Sequence, residues 1–274
     1  MHLIEINQQT CSQDGICAAV CPAKLINFTP GAFPSPVDDI GDLCIRCGHC
    51  VAACPSGSVR HAELPLEQCP PVDKKLLLSS AQTEQFLRGR RSIRNYRDQA
   101  VSQEKLQKLI ELARYAPSGH NSQTAEWLVL TNRDELNRLI NHVGDWMRWM
   151  LLNMPDFALS MHMDKALERM EEGEDVVLRG APALIIAYAP ENDLMAPATC
   201  TIALSYLELA ATGMELGGCW AGYFTAAATS FPLMKKELGL PDGYRCFGAM
   251  MIGYTKFRYH RLPERKTPHI VWRE

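Results

Sequence analysis

The chain has 274 residues, 47% of them hydrophobic, and a formal net charge of -3; that is enough apolar material for one large domain or two smaller ones, and it excludes a disordered chain. Residues 1–66 hold three Lys/Arg against six Asp/Glu, and the remainder balances at 25 against 25, so the sequence offers no broad basic face for nucleic acid. The opening MHLIEINQQT lacks the basic start and long apolar run of an export signal, and no run of 18 apolar residues follows, which predicts a cytoplasmic protein without a membrane span.

Seven of the eleven cysteines lie between Cys11 and Cys54. In a reducing compartment such crowding points to metal ligation rather than disulfides. The run 44-CIRCGHCVAACP-55 fits C-x2-C-x2-C-x3-C-P throughout. Three closely spaced thiolates face one iron–sulfur cluster from a single loop, and the fourth, followed by proline, turns to a second cluster. Zinc fits four cysteines at these spacings poorly. The earlier run 11-CSQDGICAAVCP-22 is in register with it except that Asp14 stands where a cysteine would. The crossed rule gives one cluster to Cys21, Cys44, Cys47 and Cys50 and the other to Cys11, Asp14, Cys17 and Cys54. A carboxylate is a harder and weaker iron ligand than thiolate. The first site therefore has two forms open to it: a 4Fe-4S cluster with one Asp14-bound iron, or a 3Fe-4S cluster on Cys11, Cys17 and Cys54. Residues 1–66 resemble a bacterial-type ferredoxin with two cubane clusters, a resemblance that implies a small ferredoxin-like domain carrying single electrons.

LPLEQCPPV at 64–72 is proline-rich and disfavours regular structure, so residues 67–79 read as a linker, with Cys69 a bystander. Beyond it the patterns lengthen. Ser102 can cap a helix carrying Leu106, Leu109, Ile110 and Ala113 on one face, stopped before Pro117. EWLVLT (126–131) and APALIIAYA (181–189) read as buried strands, and CFGAMMIGY (246–254) as a third. Thr201–Leu216 reads as a buried helix, apolar nearly all round and ended by Gly217-Gly218. This mixture over residues 80–274 predicts one layered domain of strands and helices. The Met- and Trp-rich stretch 145–163 is predicted as core or dimer contact, with a substrate lid as the sharper alternative. His142 and His162 read as structural or surface residues, and Cys219 as a small buried hydrophobe.

Segment 86-FLRGRRSIRNYR-97 holds five arginines and no acid; guanidinium forks beside a serine hydroxyl can hold a phosphate. After the helix comes 116-APSGHNSQ-123, then 217-GGCWAGYF-224, 238-LGLPDGY-244 and 262-LPERKTPHIVW-272. In this order the five segments resemble the nitroreductase family of flavin enzymes over residues 80–274. The resemblance implies an α+β fold, a three-layer α/β/α sandwich, dimerising around FMN. It implies that Arg90, Arg91 and Ser92 hold the phosphate and ribityl chain, with Arg265 or Lys266 closing from the C-terminal segment. Arg94 would lie at the N1/O2 edge of the flavin, and Ala221 and Gly222 near N5. Pro117, Ser118, Gly119 and Asn121 would come from the other subunit of the homodimer. Gln123 is followed by Thr-Ala-Glu rather than the family's Pro-Trp.

The combined expectation is an iron–sulfur flavoprotein. Electrons from an external ferredoxin, a flavodoxin or NAD(P)H would pass through two clusters to FMN and on to a small organic acceptor, a nitro, quinone-like or enone-like compound. No catalytic acid or base is identified, since the cofactor carries the chemistry. The alternatives are a specialised metabolite-converting flavoenzyme of the same fold, and a redox sensor or electron-transfer module without turnover.

Overall fold

The computed structural model describes residues 2–274. They form two compact units, one running up to Leu78 with His120–Ser122 added, the other made of Ser79–Gly119 and Gln123–Glu274.

The first unit is a duplicated motif. Strand β1 (Ile4–Ile6), helix α1 (Ile16–Val20), β2 (Ile26–Asn27), β3 (Ser35–Pro36), α2 (Ile40–Leu43), α3 (His49–Ala53) and β4 (Val59–His61) follow in order. β1 pairs antiparallel with β4, Ile4 opposite His61, and β2 with β3. The two cysteine runs fold alike. Gln13 and Arg46 both take left-handed backbone at φ 57° and 55°, and Gly15 and Gly48 follow at 70° and 72°. Each glycine opens a five-residue helix that ends at Cys21 or Cys54. At Gly15 the glycine is also forced by space, since a Cβ would lie 2.4 Å from the Phe28 ring. The core is small, with Ile4, Leu25, Ile26, Ile40, Val51 and Val59 around Cys17 and Cys50, and a core of that size is typically reinforced by metal or disulfides. The proline-rich stretch after it holds two short 3-10 turns, Leu66–Gln68 and Lys74–Leu76, more local structure than its prolines predict; the Asp73 carboxylate accepts from Lys75 N and fixes the second.

The second unit begins with α4 (Ser80–Gly89) and α5 (Gln103–Ala113). Ser79 and Gln82 form a reciprocal capping box for α4. The Ser102 hydroxyl accepts from Lys105 N to start α5, as its position predicts. Then come β5 (Glu126–Leu130), α6 (Arg133–Asn153), α7 (Pro155–Ser160), α8 (Met163–Glu171) and β6 (Ala183–Pro190). The chain continues through α9 (Ala196–Gly213), β7 (Leu216–Trp220), α10 (Gly222–Ser230), α11 (Pro232–Leu238) and β8 (Tyr244–Tyr254). The sheet is antiparallel throughout, in the order β5-β6-β8-β7. Its alternation makes three layers. Leu184, Ile186, Ala249 and Met251 join the apolar cluster beneath α6, α8 and α10. Ala183, Ile185, Ala187, Met250 and Ile252 join the one beneath α5 and α9 on the other face.

Three expectations are corrected. The apolar helix spans Ala196–Gly213 rather than Thr201–Leu216, because Glu215 turns left-handed at φ 62°. Gly217-Gly218 does not end that helix; both glycines lie inside β7, paired with Gly253 and Ile252. Nor is α9 buried all round, since Tyr206 is 42% exposed and Thr201 lies open.

Candidate cluster loops and cofactor cavity

In the first unit Cys21, Cys44, Cys47 and Cys50 line one small cavity together with Ile4, Ile40 and His61. Backbone amides already point at two of its sulfurs: Leu25 N lies 3.3 Å from Cys21 Sγ and Arg46 N 3.4 Å from Cys44 Sγ. Such N–H···S bonds stabilise thiolate and tune cluster potential. Burial pushes the Cys50 thiol up to about 11, with Cys44 and Cys47 adding like charge. A thiol held that high gives up its proton only to a strong cation, and ligated iron is one. His61 is 3% exposed. Its Nδ1 accepts from Glu63 N at 3.1 Å, which leaves the proton on Nε2, 4.0 Å from Cys44 Sγ. Burial lowers its pKa, so the ring is neutral at pH 7.

The second set is gathered as well. Cys17 is buried, and burial first, then the charges of Cys11, Cys54 and Asp14, raise its pKa, so all four stand within electrostatic reach of one another. Cys54 is treated differently: burial would raise it, but bonds from Ser56 Oγ and the amides of Ser58 and Val59 outweigh burial and lower it. Asp14 is exposed, its Oδ1 accepting from Ile16 N at 3.0 Å and its Oδ2 from Ser12 Oγ at 2.8 Å. Those bonds hold the carboxylate ionised below its ordinary value, and each oxygen keeps a lone pair. Among the described residues no three His, Cys, Asp or Glu side chains converge on a single-ion site.

The arginine segment runs beside β7. Ile93 N donates to Gly218 O at 2.9 Å, and the Tyr96 hydroxyl donates to Ile93 O at 2.7 Å. Arg90 Nη1 sits 2.7 Å from Glu208, a carboxylate on α9 whose side chain is 8% exposed; the same nitrogen lies 3.5 Å from Ser92 Oγ. Arg91 and Ser92 are half-buried. Arg94 leads elsewhere, into a cavity of about 370 Å3 that it lines with Trp146, Cys219, Trp220, Gly222 and Tyr223. Ala221 is buried, its N–H donating to Ala249 O at 2.9 Å, and Gly222 opens α10. Of the predicted residues, Arg94 and Gly222 are thus brought to one cavity.

The others lie apart from that cavity. Pro117 is exposed, Ser118 Oγ accepts from Gln123 N at 3.0 Å, and a Cβ on Gly119 would meet Met195 at 3.1 Å. Within the first unit, Asn121 Nδ2 donates to the carbonyls of Ile45 and Arg46, each at 3.1 Å, inside the second cysteine run. Arg265 and Lys266 are exposed in a C-terminal segment without helix or strand. A larger hollow, about 770 Å3, lies among Arg97, Lys105, Glu215 and Lys256–His260; it gathers none of the predicted residues and is more polar, so the smaller apolar cavity is the better cofactor site.

Several contributors were not legible in the sequence. Arg179 lines the same cavity from the loop before β6, and Glu208 holds Arg90. The Met- and Trp-rich stretch divides its work. Trp146, Met147, Met150 and Met163 are core, while Phe157 and Met161, each nearly half exposed, also line the cavity. The Tyr223 hydroxyl donates to Met161 O at 2.7 Å and ties this rim to α10. His142 lies between Asp145 and Glu237, and His162 is exposed at the start of α8. Cys219 is 4% exposed and burial raises its pKa, so it is a thiol at neutral pH.

Comparison with known proteins assigns the class. Residues 87–254 match the profile of the Nitroreductase family, and residues 10–59 match a 4Fe-4S dicluster domain. The chain belongs to the nitroreductase family and carries an N-terminal 4Fe-4S dicluster domain. A relative from Archaeoglobus fulgidus, provisionally named an NADH dehydrogenase/NAD(P)H nitroreductase, is 24% identical over 192 residues, covering 68% of this chain and 93% of its own. A Bacteroides fragilis nitroreductase crystallised with bound FMN is similar at TM-score 0.57 and 22% identity, over 69% of this chain and 98% of its own. A Desulfitobacterium hafniense nitroreductase, also with bound FMN, gives TM-score 0.55 and 24% identity over 71% and 100%. These similarities agree with the α+β layering above. Among the described residues no helix is long and apolar enough to cross a membrane.

Proposed function

We propose that this chain is an FMN-dependent oxidoreductase whose dicluster domain supplies electrons for reducing a small organic acceptor. The carrying observation is the 370 Å3 cavity that places Arg94 with Gly222 and Cys219 under an aromatic and methionine rim. When bound, FMN supplies conversion between single electrons and pairs, the task that joins cluster carriers to two-electron organic chemistry.

Arg94 provides a fixed positive charge for the flavin edge that becomes anionic on reduction, with no reorganisation needed. Arg91, Ser92 and Arg90 form the phosphate end, Arg90 held in place by Glu208, and Arg265 or Lys266 closes it. Gly222 leaves room for close approach, since nothing lies within 4 Å of where its Cβ would be. Trp146, Phe157, Met161 and Met163 exclude water above. Cys21, Cys44, Cys47 and Cys50 hold one cluster and Cys11, Asp14, Cys17 and Cys54 the other, a division supported by the lined cavity and the mutual electrostatics of the two sets. The working form is a homodimer, for which the half-exposed apolar side of α9 around Tyr206 is the candidate contact. A nitro acceptor takes two electrons and two protons, giving the nitroso compound and water; the electrons come from a reduced ferredoxin, a flavodoxin or NAD(P)H.

The test is anaerobic turnover by reconstituted protein with a reduced ferredoxin and a nitroarene, comparing wild type with Arg94→Gln. The expected result is reduction by wild type and a loss of about 100-fold in kcat/KM for the variant, the size usual for one preorganised electrostatic group. FMN retention without acceptor reduction by any nitro, quinone or enone compound would sink the reading.

A further inference from the structure

The cavity holds a second cation besides Arg94. Arg179 lines it, half-buried, in a left-handed backbone conformation at φ 56° that is uncommon for a residue other than glycine. Its loop is organised by Asp175. One carboxylate oxygen accepts from Val177 N at 3.1 Å and Leu178 N at 2.7 Å, the other from Gly180 N at 2.8 Å. The loop is thereby wound tightly around one acid, and Val176, Val177 and Leu178 are buried beneath it.

Charge makes the arrangement informative. The cavity wall contains Arg94 and Arg179 and no aspartate or glutamate. Among the described residues the Arg179 guanidinium forms neither an ion pair nor a hydrogen bond, whereas Arg90 is neutralised by Glu208. The remaining wall is aromatic and aliphatic: Trp146, Phe157, Met161, Trp220, Tyr223.

We propose that Arg179 is the anchor for an anionic substituent on the acceptor, and that the substrates are planar apolar compounds bearing a carboxylate besides the reducible group. This rests on the oxidoreductase reading above and narrows its substrate class. The apolar wall holds the ring, the Arg179 fork takes the carboxylate, and Arg94 remains with the flavin.

The test uses the FMN- and cluster-loaded oxidised protein and calorimetric titration with 4-nitrobenzoate and its uncharged counterpart 4-nitrobenzamide. Wild type is expected to bind the carboxylate at least tenfold more tightly than the amide. Arg179→Met is expected to bring the carboxylate down to the amide's affinity while leaving the amide and the FMN content unchanged, and Arg179→Lys to restore part of the difference. Equal affinity of the two ligands in wild type, an equal loss of both in Arg179→Met, or loss of FMN from the variant each overturns the proposal; the last would make Arg179 a flavin ligand. Because binding is read without turnover, discrimination by charge with no reduction of either compound would uphold the anion site and refute the reductase.

Discussion

Gly217→Ala is the most revealing perturbation of the cofactor domain, because it reaches the arginine segment without touching an arginine. A Cβ at position 217 would lie 2.4 Å from Ile93 Cγ1, 2.7 Å from its Cβ and 2.9 Å from its Cγ2. Relaxed carbon contacts need about 3.5–4.0 Å, so more than 1 Å must be found. Ile93 cannot yield easily: it is 6% exposed, β-branched at the clashing atoms, and bonded through its N–H to Gly218 O. β7 cannot yield either, being paired with β8 from Leu216 to Trp220. The cost of such overpacking is about 2 kcal/mol, which for a domain of this size is a fall of roughly 4–8 °C in Tm. Since Ile93 lies between Ser92 and Arg94, relief by displacement moves the flavin-facing groups, and FMN retention falls with Tm. Thermal denaturation and flavin absorbance after gel filtration measure both. Gly213→Ala is the control: nothing lies within 4 Å of its added Cβ, and Tm is expected unchanged or slightly raised. If Gly217→Ala matched wild type in Tm and FMN content, the claim that β7 positions the arginine segment would be wrong.

Glu208→Ala strands Arg90 beside a vacated buried site. Complete burial would make that worth about 3–5 kcal/mol, and with Arg90 27% exposed the expected loss is about 2–3 kcal/mol, read by urea denaturation, with weaker FMN binding; unchanged FMN affinity would remove Glu208 from the phosphate end. Asp14→Cys should convert the first cluster to all-thiolate ligation, slowing iron loss to a chelator and changing its EPR signal, while an identical signal and lability would make Asp14 a turn residue only. Asp193 is held below the ordinary carboxylate value first by the Thr124 hydroxyl and then by Met195 N–H. Its contribution is whole above the unfolded value and disappears as pH falls through the lower folded one. Wild type and Asp193→Ala should therefore differ in Tm at pH 7 and converge as pH falls below the folded-state value; a constant difference would contradict the assignment.

Local chemistry made much of this legible. Cysteine spacing gave both loops and their register, because cluster ligation demands short fixed intervals, and the same repetition appears as matched left-handed residues Gln13/Arg46 and Gly15/Gly48. Ser102 announced α5, and the apolar runs announced β5, β6 and β8. Long-range geometry was not readable. Gly217-Gly218 looks like a helix stop in sequence, yet its smallness serves Ile93, a residue 124 positions earlier in the chain. The ion pair of Arg90 with Glu208 likewise joins a charge run to an acid hidden in an apolar helix, where neither periodicity nor motif marks it. Arg179 had no signal beyond an isolated Arg-Gly before a strand. Only the fold of the 175–180 loop brings it to Arg94.

The account's central claim is that electrons from the dicluster domain reach the organic acceptor by way of the flavin cavity. The most direct measurement is an anaerobic single-turnover experiment. Fully reduced reconstituted protein is mixed with enough of a two-electron acceptor, at least two equivalents per chain, to take the electrons of the flavin and both clusters, and the iron–sulfur and flavin absorbance are followed together in wild type and Arg94→Gln. The account predicts that both signals return to the oxidised form in wild type, and that both returns slow together in the variant although no cluster ligand has been changed. Clusters that stay reduced while acceptor is consumed, or that reoxidise at the wild-type rate in Arg94→Gln, would contradict it.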